Sequence, residues 1–185
     1  MTSDGPSIHE TATIDDGALI GPATTIWHHA HIRSSARIGS ECTIGKGVYV
    51  DAGVSLGDRC KVQNGAQLYR YATVGPGVFI GPGAILTNDR LPRAISPDGA
   101  RMSSDDWTAL TTTIGGGSSI GAGAIILSGL TIGAWSMVGA GSLLTRSLPA
   151  HALAYGAPAR VVGAICRCGA SRAREMEHLS CQCMA

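Results

Sequence analysis

The sequence predicts an all-β fold, a solenoid of short strands wound coil upon coil. Three observations carry that prediction. An aliphatic residue recurs at every sixth position: Ile8, Ile14, Ile20, Ile26, Ile32, Ile38, Ile44, Val50, Leu56, Val62, Leu68, Val74, Ile80 and Leu86. The series resumes in a new phase with Ile114, Ile120, Ile126, Ile132, Val138 and Leu144. Four residues after each aliphatic comes a small or modest side chain, from Ala12, Ala18 and Thr24 through Cys42 and Cys60 to Val78 and Ala84. Gly directly follows the aliphatic in half of the hexads, as at Gly21, Gly39, Gly57, Gly81 and Gly121. Six is a multiple of two, so in extended chain the aliphatic and small residues point to one side. A helix of 3.6 residues per turn cannot keep such a column on one face. Each hexad is therefore a short strand and a sharp corner, with Gly relieving some corners. One hexad cannot bury its own aliphatic residue; stacked coils can.

Composition bounds the rest. The 185 residues fit one domain with a small appendage. With 44% hydrophobic and 15% charged residues, the chain can build a core and is not disordered. A net charge of +1 argues against a nucleic-acid coat, and 4% aromatics argue against a stacking platform for single strands. The first ten residues, MTSDGPSIHE, hold no basic stretch followed by an apolar run, so no signal peptide is expected. No window approaches the roughly 20 apolar residues of a spanning helix. The expectation is a cytoplasmic protein with neither membrane nor nucleic acid as partner. In that compartment the six Cys read as thiols or metal ligands before disulfides.

Taken in order, the hexads fill residues 8–86 and 114–144. The break at 87–113 is polar, holds Pro92 and Pro97, and is too long for an ordinary connection. It reads either as a tolerated surface insertion or as a site-forming loop on a rigid scaffold, and the second is favoured. Pro149 and Pro158 end the strands. The expected division is a solenoid domain over 1–163, with the loop 87–113 inserted, and a Cys-rich tail over 164–185.

The repeat resembles that of the hexapeptide-repeat acyltransferases. The resemblance spans about residues 8–163 and implies a left-handed parallel β-helix with three hexads per coil, hence nearly seven coils here. Tyr155-Gly156-Ala157-Pro158-Ala159-Arg160 matches a segment that often follows their last coil. Two stretches narrow it: Thr25-Ile26-Trp27-His28-His29-Ala30-His31-Ile32, and Val62-Gln63-Asn64-Gly65-Ala66-Gln67-Leu68-Tyr69 continuing to Leu86-Thr87-Asn88 and Leu91-Pro92-Arg93. They look like the acetyl-CoA-dependent N-acetyltransferases of nucleotide-linked 3-amino sugars, which read IWHF, IQNNVSVY, FTN and NPR. This chain departs from that pattern at His29, at Gly65-Ala66-Gln67 and at Leu91. The resemblance implies acetyl transfer from acetyl-CoA to a UDP- or dTDP-linked amino sugar, and a homotrimer with sites between subunits.

Thioester acyl transfer to an amine needs a neutral amine, a donor for the developing oxyanion and a route for the proton. Counted by 18, Trp27, Gly45, Gln63 and Gly81 form one exposed column, and Ser34, Ala52, Arg70 and Asn88 another. Such polar columns serve a sugar, a phosphate, a neighbouring chain or simply solvent. The resemblance makes Asn88 the residue expected to contact the amine, with Gln63, Asn64, Tyr69, Arg70 and Arg93 on the substrate. It also implies no single dedicated base, the departing thiolate taking the proton. His28, His29 and His31 read as a metal ligand, a base or interface residues, and His28 and His31 are the alternative proton carriers. Zinc across a trimer interface, as in the γ-type carbonic anhydrases on this solenoid, needs His from separate coils. Here His9, His28, His29 and His31 all lie early.

For acetyl-CoA, Ala122 and Ala140 follow Gly at outer corners 18 residues apart. Small residues there either open the backbone to pantetheine or merely permit tight turning. Arg160 suits a CoA phosphate. In the tail, Cys166, Cys168, Cys181 and Cys183 form two CxC pairs, read as a structural zinc site or as surface thiols. Cys42 and Cys60 read as core. The rivals are O-acetylation on the same fold, which calls for a His base, and a non-catalytic solenoid assembly protein.

Overall fold

In the computed structural model, residues 5–103 and 106–172 are described. The first twenty strands, from Ser7–Ile8 to Leu143–Leu144, are two residues long, and the aliphatic column supplies the second residue of each. With the three strands that follow, they stack into three sheets of ten, seven and six strands. Among the first twenty strands the pairing is parallel, with a register step of 18 outside the insertion, as in Val62 on Ile44 and Leu68 on Val50. Three hexads thus close one coil. Longer strands follow: Ala152–Gly156 continues the first sheet in parallel, so that sheet carries eight parallel rungs, one more than the repeat alone predicts. Ala159–Ile165 then folds back antiparallel over it, and Ser171–Arg172 pairs with its end. Among the described residues no helix is long and apolar enough to cross a membrane.

The core is the inside of the tube. Ile44, Ile80, Leu86, Ile120 and Ile126 are wholly buried, interleaved with Val48, Ala66, Ala84, Cys42 and Cys60 of the small column. The first coil lacks a neighbour below, and Ile8 accordingly stays exposed. At several polar positions of the small column the hydroxyl serves a corner. Thr24 Oγ1 donates to the Gly39 carbonyl at 2.7 Å and accepts from the Cys42 N–H at 3.0 Å. Ser118 and Ser136 repeat the device further along.

The role expected of the first glycine column is corrected. Gly21, Gly39, Gly57, Gly81 and Gly121 do not relieve a left-handed corner; they sit where consecutive coils nearly touch. A Cβ on Gly81 would come within 2.5 Å of the Ala122 nitrogen. The left-handed residue comes two positions later, at Gly83 (φ 65) among others, and is often not Gly: Ala23, His29, Glu41, Arg59 and Tyr71 hold φ between 55 and 64. Close approach selects one column and backbone conformation the other.

The loop leaves the corner after Ile85–Leu86 and rejoins at Thr113–Ile114. Across it the register step grows to 40, Val74 pairing with Ile114 and Leu86 with Ile126, so the coil closes as if nothing were inserted. Its base is tied by the Leu110 N–H donating to the Asn88 carbonyl at 3.1 Å.

Candidate active site

Two edges of the seven-stranded sheet collect the polar groups. The first edge turns from the ten-stranded sheet and carries two columns. One runs Trp27, Gly45, Gln63, Gly81, Gly121, Gly139; beside it run His28, Lys46, Asn64, Pro82, Ala122 and Ala140. His28, Gln63, Asn64, Ala122 and Ala140 therefore lie along one edge. Arg160 joins its far end, because it pairs with Tyr155, whose Cβ rests over Gly139. Asn64 spends one acceptor on the scaffold, Oδ1 taking the Lys46 N–H at 2.9 Å. Asp58 does the same for Ser40 at 2.8 Å. The Gln63 amide is half-buried and makes no hydrogen bond among the described residues. His28 stacks on His9 at 3.5 Å between centroids. Its pKa is lowered, first by burial and then by the neighbouring His9, His29 and Lys46.

The second edge turns toward the six-stranded sheet and holds Asp15, Arg33, Asp51, Tyr69 and Thr87 in one column, with Ser34, Ala52, Arg70 and Asn88 beside it. On the adjoining face stand His31, Tyr49 and Gln67. A hydrogen-bonded chain links the two. Asp15 bridges His31 Nε2 at 2.9 Å and Arg33 Nε at 2.8 Å. Arg33 Nη1 donates to the Tyr49 hydroxyl at 3.1 Å, which donates to Asp51 at 3.2 Å. The hydrogen bond from His31, aided by Arg33, holds the Asp15 carboxyl below its ordinary range. The Tyr49 phenol is raised, chiefly by burial. Asn88 stands half-buried where loop meets coil, and its side-chain amide has no hydrogen-bond partner among the described residues. Tyr69 and Arg70 are half-buried beside it, and Arg93 is exposed on the loop.

Within one chain the expected residues thus divide. His28, Gln63, Asn64 and the Ala122–Ala140–Arg160 ledge share the first edge; His31, Tyr69, Arg70 and Asn88 share the second. Asp15, Arg33, Tyr49 and Asp51 were not singled out from sequence, although writing the chain in rows of 18 aligns Asp15, Arg33 and Asp51.

The tail departs from expectation. Cys166 is disulfide-bonded, which removes its thiolate from a zinc site, and Cys181 and Cys183 lie outside the described residues. Cys168 is exposed. No group of three or more His, Cys, Asp or Glu among the described residues converges on a metal. The four-cysteine zinc reading is therefore not supported. Arg167 instead lies over the Trp135 ring, 5.3 Å from its centroid.

Comparison with known proteins places this solenoid. The bacterial transferase hexapeptide model matches residues 17–52 and 111–146, and the hexapeptide repeat of succinyl-transferase matches 35–70. Over these spans the chain is similar to the hexapeptide-repeat transferases. Over 72 residues the chain is 35% identical to a dTDP-3-amino-3,6-dideoxy-alpha-D-galactopyranose 3-N-acetyltransferase of Aneurinibacillus thermoaerophilus, covering 39% of the chain and 38% of that relative. PerB of Caulobacter crescentus, solved with CoA and GDP-perosamine, is similar with TM-score 0.55 at 24% identity, over 86% of the chain and 57% of PerB. A point mutant of AntD, an N-acyltransferase of Bacillus cereus solved with dTDP and coenzyme A, gives 0.53 at 20% identity, over 86% of the chain and 81% of AntD. The chain spans well under two thirds of the curated relative and of PerB. At these identities the two structures speak to the fold alone.

Proposed function

We propose that the chain transfers an acetyl group from acetyl-CoA to the amine of a UDP- or dTDP-linked amino sugar, with a 3-amino sugar the best fit. The observation that carries this reading is Asn88: a side-chain amide without a hydrogen-bond partner among the described residues, half-buried at the loop base beside Tyr69 and Arg70. The name of the curated relative agrees with it. The neutral amine attacks the thioester carbonyl, the C–N bond forms, the C–S bond breaks, and the departing thiolate takes the amine's proton. Asn88 Oδ1 accepts an amine N–H and aims the nitrogen, which is a positioning contribution. Gln63, Asn64, Tyr69, Arg70 and Arg93 meet sugar and phosphate; Ala122 and Ala140 leave a ledge for pantetheine, and Arg160 meets a CoA phosphate.

The division of these groups between two edges of one chain supports a homotrimer, in which a neighbouring subunit's edge completes each site. The test is acetyl transfer to a panel of nucleotide-linked amino sugars, with Asn88→Ala alongside. A panel without any N-acetyl product would reject the reading. One observation favours a second reading: His31 is held by Asp15 at 2.9 Å, the arrangement of an oriented base. A hydroxyl acceptor needs such a base, and an O-acetylated product lost in His31→Ala would establish it.

A further inference from the structure

On the first edge, Trp27, Thr43, Gly45, Lys46, Gln63 and Asn64 line an open hollow of about 300 Å³. Trp27 is 46% exposed, unusual for an indole that has a core beneath it. Gly45 stands between Trp27 and Gln63 in the column and is the step without a side chain. It must be Gly, since a Cβ there would meet the Asn64 Oδ1 at 2.6 Å and the Asn64 nitrogen at 2.7 Å. The coil spacing of roughly 4.8 Å then leaves a slot one rung deep over Gly45. A flat ring in that slot would lie about 4.8 Å from the indole, within the usual range of about 4.5–7 Å for aromatic pairs.

Polar groups surround the slot. The Gln63 side-chain amide closes its far side with no hydrogen-bond partner among the described residues, which suits the edge of a base. Lys46, exposed and without a salt bridge among the described residues, stands next to Gly45. Around it lie His9, His28 and His29, with Glu10 the one opposing charge acting on His28. Ring, hydrogen-bonding amide and uncompensated positive charge meet within one hollow.

We propose that this hollow binds a nucleobase carrying a diphosphate, the ring stacked on Trp27 over Gly45 and the phosphates toward Lys46. This deepens the acetyltransferase reading and rests on it for biological meaning, though the binding chemistry stands on the hollow. Two sources share that chemistry: the nucleoside diphosphate of a sugar substrate and the adenine nucleotide of coenzyme A.

Calorimetric titration of the whole chain with dTDP, UDP and GDP in one arm, and with CoA and 3′,5′-ADP in the other, tests it. Trp27→Ala should weaken binding in one arm at least about fivefold, stacking on an aromatic being worth roughly 1–3 kcal/mol per base. Lys46→Ala should weaken it several-fold and flatten its salt dependence. Lys61→Ala, an exposed cation on the same sheet outside the hollow, serves as control and should bind as wild type. The arm that responds names the source. Folded Trp27→Ala and Lys46→Ala proteins that bind every ligand as wild type would overturn the proposal. Nucleotide binding lost in Trp27→Ala, with no amino sugar acetylated by wild type, would keep this site and sink the acetyltransferase reading. Unchanged KM values in Trp27→Ala with brisk transfer would do the reverse.

Discussion

Asn88 is the residue on which the proposed chemistry turns. Asn88→Ala should lower kcat/KM at least about tenfold, about 1.4 kcal/mol of transition-state stabilisation. Wild-type rates on the identified amino sugar would remove it from the mechanism. His28→Ala and His31→Ala should be milder, because the thiolate takes the proton; a loss of about a thousandfold or more in either would restore a histidine base. Asp15 carries a pH prediction. Its carboxyl is held below the ordinary carboxylate range by the hydrogen bond from His31, aided by Arg33. A depressed folded pKa contributes stability above the unfolded value, and that contribution is lost as pH falls through the folded one. Asp15→Asn should therefore lower stability near neutrality and narrow its gap to wild type below about pH 4. Melting curves across that range check it, and a constant gap would deny the link. The Asp15–His31–Arg33 contacts escaped sequence reading because they join residues a coil apart, whereas Asn88 could be read from the family-like Leu86-Thr87-Asn88 stretch.

Among elements, the coil corner distinguishes two kinds of glycine that look alike in the sequence. Gly81→Ala pushes a Cβ to 2.5 Å from the Ala122 nitrogen and should cost about 1–3 kcal/mol, because backbone must move. Gly83→Ala meets nothing within 4 Å and carries only the strain of φ +65, about 1–2 kcal/mol. The first should also weaken coil pairing seen by hydrogen exchange at Gly81 and its neighbours, while the second should not. Matching exchange patterns would undo the distinction. The strands themselves were legible to the residue, since a six-residue period leaves no freedom about which side chains share the core. The two glycine roles were not, because close approach is a relation between coils.

The whole molecule is held by stacking, and it exposes two separated edges that the proposed chemistry requires together. Sedimentation should therefore give a particle three times the 18.9 kDa of one chain. A fully active monomer would overturn the shared-site account. Replacing residues 90–109 by a short Gly-Ser link should spare the solenoid, because the register resumes across the insertion and closing a loop depends only weakly on its length. Activity should fall sharply, since the replaced segment holds Arg93.

The sequence alone determined the stacked solenoid, the buried column and the place of the insertion, while three hexads per coil followed from the family resemblance. It could do so because each column repeats at a fixed interval and the core tolerates nothing else there. Only the tertiary structure decided that Asp15 joins His31 to Arg33 on the second edge. Only there does the added antiparallel hairpin over residues 152–165 carry Arg160 to the end of the first edge. It also set Cys166 in a disulfide rather than in a four-thiolate site. These are matters of which corner faces which neighbour, and a period of six, identical at every corner, holds no information about them.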